Sequence, residues 1–183
     1  MPDVVDLIMQ DHREFERLFA QLENEPDKRP TVLPVLATLL TAHSRAEESD
    51  VYPAAAGAGG SDDVAHSQEE HVEADQILER LLACDPTGDE FADVLKELVD
   101  AVTHHLEEEE ETVLPHMRES MSAEQLDSLG EAFLAARAEH LGESPESVTK
   151  AELQQQASNM DLSGTSGLSK DELQETLREE AGS

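Results

Sequence analysis

Apolar residues recur at steps of three and four in four stretches of the chain, which is the spacing of one face of an α-helix. Pro26, Pro53 and Pro86 lie between these stretches, and proline interrupts a helix because it lacks the backbone N–H. The pattern therefore predicts four amphipathic helices of about twenty residues each. Their predicted buried positions are Ile8, His12, Phe15, Phe19 and Leu22; Leu36, Leu39, Leu40, His43 and Glu47; Val64, Gln68, His71, Ala74, Leu78 and Leu82; and Phe91, Leu95, Leu98, Val102, His105 and Glu109.

Short linkers join the four predicted helices, so neighbouring helices should run antiparallel. After residue 121, the sequence Ser122-Ala-Glu-Gln125 has the form of a capping box and predicts a shorter fifth helix that ends near His140. We therefore predict an all-α fold. Residues 1–140 should form an antiparallel up-down-up-down four-helix bundle with a short fifth helix.

Residues 141–183 follow a different pattern. Gly142 to Pro145 predict a linker, and two near-copies follow, Thr149-Lys-Ala-Glu-Leu and Ser169-Lys-Asp-Glu-Leu. Each copy has the form of a capping box that opens a short helix. The sequence thus predicts a linker and a small helix-turn-helix tail, separate from the bundle.

The chain is strongly acidic, with 43 Asp and Glu residues against 12 Lys and Arg and a net charge of −31. Such a charge repels phosphate, so we expect no direct binding to nucleic acid or to a membrane surface. No stretch approaches the roughly 20 apolar residues of a membrane span, and no signal-peptide pattern opens the chain. Cys84 is the only cysteine, which excludes an intramolecular disulfide and a thiolate metal cluster. We expect a cytoplasmic protein.

Two segments repeat one motif, His43-Ser-Arg-Ala-Glu47 and His105-Leu-Glu-Glu-Glu109. In each, histidine and glutamate are four residues apart, which puts both side chains on one face of a helix. An imidazole nitrogen and a carboxylate oxygen that point to one spot are two ligands for a transition metal ion. Both pairs also lie on predicted buried faces, where an unpaired carboxylate would be very costly.

A further histidine precedes each motif, His12 by 31 residues and His71 by 34. The chain therefore reads as two similar halves, and two halves that face each other bring six side chains to one interior point. Burial of four imidazoles and two carboxylates makes sense mainly if cations neutralise them. The sequence thus predicts a dinuclear metal site. The predicted ligands are His12, His43, Glu47, His71, His105 and Glu109.

Mixed imidazole and carboxylate ligands suit iron, zinc, manganese or cobalt, so the metal stays open on this ground. If both glutamates bridge, the ligands and an oxo or hydroxo bridge fill roughly ten of the twelve positions around two six-coordinate ions. The open positions would accept a small molecule, which favours redox-active iron over a closed structural zinc. We therefore expect two iron ions (Fe2+/Fe3+) with an oxo or hydroxo bridge.

The series His12, His43-x3-Glu47, His71, His105-x3-Glu109 resembles the hemerythrin-like (HHE cation-binding) family over residues 1–140. The resemblance implies an antiparallel four-helix bundle that holds a non-haem di-iron centre with a bridging oxygen. It further implies that this centre binds dioxygen, nitric oxide or peroxide.

The chain departs from the oxygen-storing members of that family at two positions. They carry a second histidine one turn after the third-helix histidine, where this chain has Asp75. They also use a His-x4-Asp pair on the fourth helix. One iron therefore has one nitrogen fewer here, and water, Asp75 or another oxygen ligand would fill its place. Tyr52, the only tyrosine, lies five residues after Glu47 and is a candidate for that role.

The tail resembles the SAP-like or Rho N-terminal-like helical motif, which is associated with nucleic acid. The matching segments are Thr149-Lys-Ala-Glu-Leu, Asp161-Leu-Ser-Gly and Leu168-Ser-Lys-Asp-Glu-Leu. Because the tail is net acidic, contact with phosphate is disfavoured. We expect a protein partner for the tail, or none.

These features predict a non-haem di-iron protein that binds O2, NO or peroxide for sensing, scavenging or carriage. A catalase-like enzyme that decomposes peroxide is the first alternative, and iron storage or donation is the second. The acidic run 107–111 is expected to be a solvated face except for Glu109. The other histidines are expected to be surface side chains; they are His66, His104, His116 and His140.

Overall fold

A computed structural model describes residues 2–182 of the chain. These residues form nine α-helices and no strand. The helices are α1 Val4–Asn24, α2 Arg29–Ala46, α3 Tyr52–Gly57, α4 Ser61–Ala83, α5 Asp89–Glu111, α6 Val113–Ser120, α7 Ala123–Glu139, α8 Lys150–Asn159 and α9 Lys170–Ala181.

The bundle consists of the four long helices α1, α2, α4 and α5, which confirms the predicted all-α fold. Each contributes large apolar side chains to one shared core, for example Phe15, Leu36, Leu78 and Leu98. This core fills one end of the bundle. A second apolar cluster fills the other end, where Tyr52 and Phe133 are fully buried. The candidate site lies between these two apolar clusters.

The apolar stripe of α4 differs from the prediction at its end. Leu82 is 38% exposed, whereas Ile77 and Leu81 are buried. Steps of four residues drift around a helix of 3.6 residues per turn. A stripe extended from residue 78 to residue 82 therefore leaves the core face, and a step of three from Leu78 to Leu81 stays on it.

The helical path of α2 continues through a π-helical turn, Glu47–Val51, into α3. Here the Tyr52 N–H donates to the carbonyl of Glu47, five residues back rather than four. Pro53 lies directly after this π-helical turn, at the start of α3, so its missing N–H falls where the regular α-helical hydrogen-bond pattern is already interrupted. Pro115 likewise lies in the first turn of α6, which begins at Val113 just after α5 ends at Glu111.

Three predicted capping boxes are present in the structure. They open α7 at Ser122, α8 at Thr149 and α9 at Ser169, each with reciprocal hydrogen bonds to the third helical residue. Helix α7 packs closely against α1, since a Cβ on Gly130 would lie 3.2 Å from the backbone nitrogen of Val4.

The tail helices α8 and α9 pack on each other and on α4. Their small core includes one residue of the bundle, Val72, and Arg178 of α9 lies 2.8 Å from Glu79 of α4. A domain boundary at residue 140 stays a prediction.

Among residues 2–182 no helix has both the length and the apolar character needed to cross a bilayer.

Candidate metal centre

The six predicted ligands converge in the interior of the bundle. Each is at most 5% exposed, and His12, Glu47 and Glu109 are completely buried. Every long helix contributes at least one ligand. Helices α1 and α4 carry His12 and His71. Helix α2 carries His43 just before Glu47, and α5 carries both His105 and Glu109. The spacing of four residues places His43 beside Glu47, with Nε2 3.1 Å from Oε1.

His12, His43 and Glu47 form the first group of donor atoms, which lie within 4.8 Å of one another. Glu109 joins this group because its Oε2 lies 3.3 Å from Nε2 of His12. The group therefore offers two imidazole nitrogens and carboxylate oxygens from two helices, a mixed set that suits first-row transition metals.

Glu47, His71 and His105 form the second group. The Nε2 atoms of His71 and His105 are 3.0 Å apart, and the second oxygen of Glu47 lies 3.4 Å from Nε2 of His71. Glu47 thus presents one oxygen to each group. The hydroxyl of Tyr52 lies 3.1 Å from the same His71 nitrogen, so the candidate tyrosine is on the second group's side.

The π-helical turn explains how Tyr52 reaches this place. In a regular α-helix, residues five apart point about 140° away from each other. The wider π turn brings Tyr52 back toward the side of Glu47, and both side chains are fully buried. π-Helical turns inside α-helices often occur at functional sites.

The atoms of the first group that could bind a metal ion have no hydrogen-bond partner. The buried Nε2 atoms of His12 and His43 and both oxygens of Glu47 and Glu109 are unpartnered. Leaving buried polar atoms unsatisfied costs roughly 1–3 kcal/mol each, and more for charged groups. Cations between these atoms would satisfy them, so the residues present fit a pair of metal ions.

A second layer of carboxylates holds the four histidines from behind. The Nδ1 atoms lie 2.8 Å from Glu110 for His12 and 2.9 Å from Glu70 for His105. Such a carboxylate fixes the tautomer and directs Nε2 toward a metal ion. The remaining two contacts are 3.1 Å from His43 to Asp11 and 3.3 Å from His71 to Glu48.

Sequence reasoning missed this second layer. The prediction that only Glu109 of the acidic run points inward was wrong, because Glu110 is only 22% exposed and contacts His12. A signal was present in the sequence. Each of the four carboxylates is the direct neighbour of a ligand, as in Asp11-His12, Glu47-Glu48, Glu70-His71 and Glu109-Glu110.

Glu48 is the most enclosed member of this layer. It accepts hydrogen bonds from Arg45 at 2.9 Å and Gln68 at 2.9 Å. The tail adds two more, since Gln156 donates to its carboxylate at 3.0 Å and Asn159 to its backbone carbonyl at 3.0 Å. The tail therefore covers the group that orients His71.

Asp75 does not reach the centre. Its carboxylate lies 2.7 Å from the guanidinium of Arg45, which is buried and needs a counter-charge. The possibility that Asp75 fills the missing ligand position is therefore wrong. Tyr52 is the oxygen donor that the structure places beside His71.

Electrostatics inside the centre favour the charged forms of His43 and His71 and the neutral phenol of Tyr52. Burial lowers the pKa of His43, but the carboxylates of Glu47 and Asp11 outweigh it and raise this pKa to about 9. Burial is likewise outweighed at His71, whose pKa rises to about 10 beside Glu47 and Glu48. Burial and the nearby charge of Glu109 raise the pKa of Tyr52 well above its usual range. Without metal, His43 and His71 therefore hold the protons that balance the buried carboxylates.

Aromatic side chains close the centre on the side of His43. The rings of Phe15 and Phe133 meet the His43 ring edge-on, with centroids 5.1 and 5.7 Å away. Apolar walls exclude water and strengthen the electrostatic interactions inside.

A helical bundle with a buried cluster of imidazoles and carboxylates is the architecture of a metal-binding four-helix bundle protein. The sequence model of the hemerythrin HHE cation binding domain family matches residues 3–117 of the chain. The chain belongs to this family, which confirms the resemblance drawn from the histidine and glutamate series.

Two similar proteins extend this finding. A crystal structure of a hemerythrin HHE cation binding domain-containing protein from Mycobacterium kansasii superposes with a TM-score of 0.68 at 24% identity, covering 78% of this chain and 89% of that one. A protein of Nostoc sp. named DNA nickase is 32% identical over 137 residues, or 74% of this chain. The match spans only 39% of the length of the Nostoc protein.

Proposed function

We propose that the six ligands hold two iron ions and that this centre binds O2, NO or peroxide. The observation that carries the proposal is the position of Glu47, whose two oxygens face two separate groups of buried nitrogens. Both oxygens are without a hydrogen-bond partner, as expected of a bridging carboxylate. Bound here, iron would supply redox chemistry and open coordination positions for a small ligand.

The residues around the centre would bind and orient these ions. Glu110 and Glu70 contact Nδ1 of His12 and His105, so they would hold the Nδ1 protons and leave the Nε2 atoms to bind the ions. The walls at Phe15 and Phe133 keep water away from His43. Tyr52 is the candidate oxygen ligand on the side of His71.

Metal analysis with an optical spectrum tests the proposal. We expect about two tightly bound iron ions per chain and a spectrum that changes when NO or peroxide is added. Protein that is fully loaded with iron and whose spectrum responds to neither ligand would contradict the binding function. Tyr52→Phe should remove any phenolate charge-transfer band while leaving two irons bound, which tests the role of Tyr52 separately.

Two alternatives follow from the same centre. For a peroxide-decomposing enzyme, Glu47 or Glu109 would move a proton during turnover. Oxygen evolution from peroxide by the iron-loaded protein, lost in His71→Ala, would support this enzyme. For iron storage or donation, equilibrium dialysis should find many weak ions per chain instead of about two tight ones.

The name of the Nostoc protein favours one candidate of a different class, metal-dependent nicking of DNA. The net charge of −31 opposes contact with phosphate, so we rank this function below binding of a small ligand. Incubating metal-loaded protein with supercoiled plasmid tests it. Conversion to open circles that disappears in Glu47→Ala would move nicking ahead of the di-iron binding function.

A further inference from the structure

A second cluster of histidines and glutamates lies on the surface beside the buried centre, between α4 and α5. His66 and Glu70 are four residues apart on α4, and His104 and Glu108 are four apart on α5. This is the same His-x3-Glu spacing that supplies the buried ligands. Because such a pair shares one helix face, the two pairs face each other across the α4–α5 contact.

The donor atoms of this cluster lie close together. One atom each from His66, Glu70 and Glu108 lies within 4.8 Å of the others. The Glu108 carboxylate spans the two histidines, with Oε2 3.1 Å from Nε2 of His66 and Oε1 3.2 Å from Nε2 of His104.

Glu70 links the cluster to the buried centre. Its Oε2 holds Nδ1 of His105 at 2.9 Å. Its other oxygen is buried without a hydrogen-bond partner and points toward the surface histidines, 3.8 Å from His66 and 3.7 Å from His104. An unpartnered buried carboxylate oxygen needs a positive or donor partner, and within this cluster a cation would provide it.

The surroundings attract cations. A groove of about 390 Å3 next to His104 is lined by four acidic residues, Glu70, Glu73, Glu97 and Asp100. Glu97 pairs with Arg80 and Asp100 with Lys96, which leaves Glu70 and Glu73 as the acids that face this groove without a Lys or Arg partner among the described residues. Acidic side chains gathered in a concave surface raise the local concentration of positive ions. The imidazoles then select among these ions, since nitrogen ligands favour zinc, cobalt and similar ions over calcium and magnesium.

We propose that His66, His104, Glu70 and Glu108 bind a third metal ion, a divalent first-row transition metal, at the surface of the bundle. This site is separate from the buried pair, with which it shares only the Glu70 contact to His105. His66 and His104, expected from the sequence to be ordinary surface side chains, would then be metal ligands.

Zinc titration of the purified protein, with its buried centre left as isolated, tests this proposal. Calorimetry and metal analysis after desalting should count one more tight ion in the wild type than in the double variant His66→Ala/His104→Ala. Loss of these two ligands should lower the affinity for the third ion by more than about 100-fold. This exceeds the 10–100-fold loss expected when only a residue that hydrogen-bonds a ligand is removed. Both histidines are more than half exposed, so their removal should leave the fold intact.

His140→Ala is the matched control, because His140, Glu143 and Glu152 also gather at the surface but include only one imidazole. It should keep the third ion. Glu47→Ala should lose the buried ions and keep the surface one, so failure of the proposed function and failure of this site give different results. The proposal is overturned if the double variant binds zinc like the wild type, if His140→Ala is the variant that loses the ion, or if magnesium competes equally with zinc.

Discussion

Glu48 and Glu110 occupy equivalent positions in the two halves of the chain, each directly after a ligand glutamate and each behind a ligand histidine. Their surroundings differ. Glu48 is 4% exposed and has Arg45 as its cationic partner, with further hydrogen bonds from Gln68 and Gln156. Glu110 is 22% exposed, and its cationic partner Arg13 is itself 53% exposed.

This difference separates what the repeat provides from what later elements add. The repeat places a carboxylate behind each histidine in both halves. The tail then encloses Glu48 through α8, and α7 adds Arg137, 3.1 Å from Asp11. The elements beyond the four-helix bundle therefore cover the carboxylates of the first half. In the second half, Glu110 has only the exposed Arg13 as its cationic partner.

The largest effect should come from Arg45→Met. This change leaves Glu48 and Asp75 buried or half-buried without their cation, and breaking a buried ion pair costs about 3–5 kcal/mol. Urea denaturation should report a loss of this size in the free energy of unfolding. A loss below about 1 kcal/mol would show that the two environments are equivalent.

The tail contacts should have the next largest effect. Gln156→Ala with Asn159→Ala leaves Glu48 and Gln68 short of donors, which costs about 1–3 kcal/mol for each group left unsatisfied. Metal affinity should fall by about 10–100-fold, because Glu48 then holds His71 less firmly. Gln154→Ala on the same helix is the control and should change neither quantity. Unchanged metal affinity in the double variant would separate the tail from the centre.

The pH dependence of the metal-free protein should come third. Since folding raises the pKa of His43 to about 9 and that of His71 to about 10, the folded state holds protons that the unfolded chain loses near its ordinary pKa of about 6.5. Their contribution is complete below that pH and is lost as the pH rises toward 10. The free energy of unfolding should fall by at most about 1.4 kcal/mol per pH unit for each proton.

Metal-loaded protein is the control for this pH profile. Its imidazoles are neutral ligands, so this alkaline loss should be absent and metal should instead be released in acid. Thermal unfolding of both forms between pH 6.5 and pH 10 measures the difference. A metal-free protein whose stability is constant over this range would contradict the assignment of protons to His43 and His71.

The smallest effect should come from Arg13→Met, the counterpart of Arg45→Met. Arg13 is 53% exposed, and exposed ion pairs contribute about 0–1 kcal/mol. Urea denaturation should give a free energy of unfolding within this margin of the wild type. A loss as large as that of Arg45→Met would remove the contrast between the halves.

The buried ligands could be predicted because local geometry determines them. A spacing of four residues on an amphipathic helix fixes the direction of His43 and Glu47 whatever else the chain does. Another local signal, Ser or Thr followed three residues later by Glu or Gln, predicted the capping boxes at Ser122, Thr149 and Ser169. Helical periodicity in the sequence therefore predicted most of the fold and the six buried ligands.

The remaining features depend on contacts between distant segments. Glu48 and Glu110 look like ordinary acidic surface residues until Gln156 or His12 is placed against them. The π-helical turn at Glu47–Val51 has no comparable periodic signal, yet it brings Tyr52 into the centre. Asp75 has a partner in Arg45 that lies 30 residues away in the chain, so spacing alone could not assign it.

Metal content of the purified chain, compared between wild type and Glu47→Ala, tests the central claim most directly. Among residues 2–182, Glu47 is the one residue that belongs to both groups of buried ligand atoms, with one oxygen near His43 and the other near His71. We predict about two tightly bound ions per wild-type chain and the loss of both in the variant, with the helical content preserved. A wild-type protein that retains no ion under metal-replete conditions, or a variant that keeps both, would contradict a dinuclear centre held by these side chains.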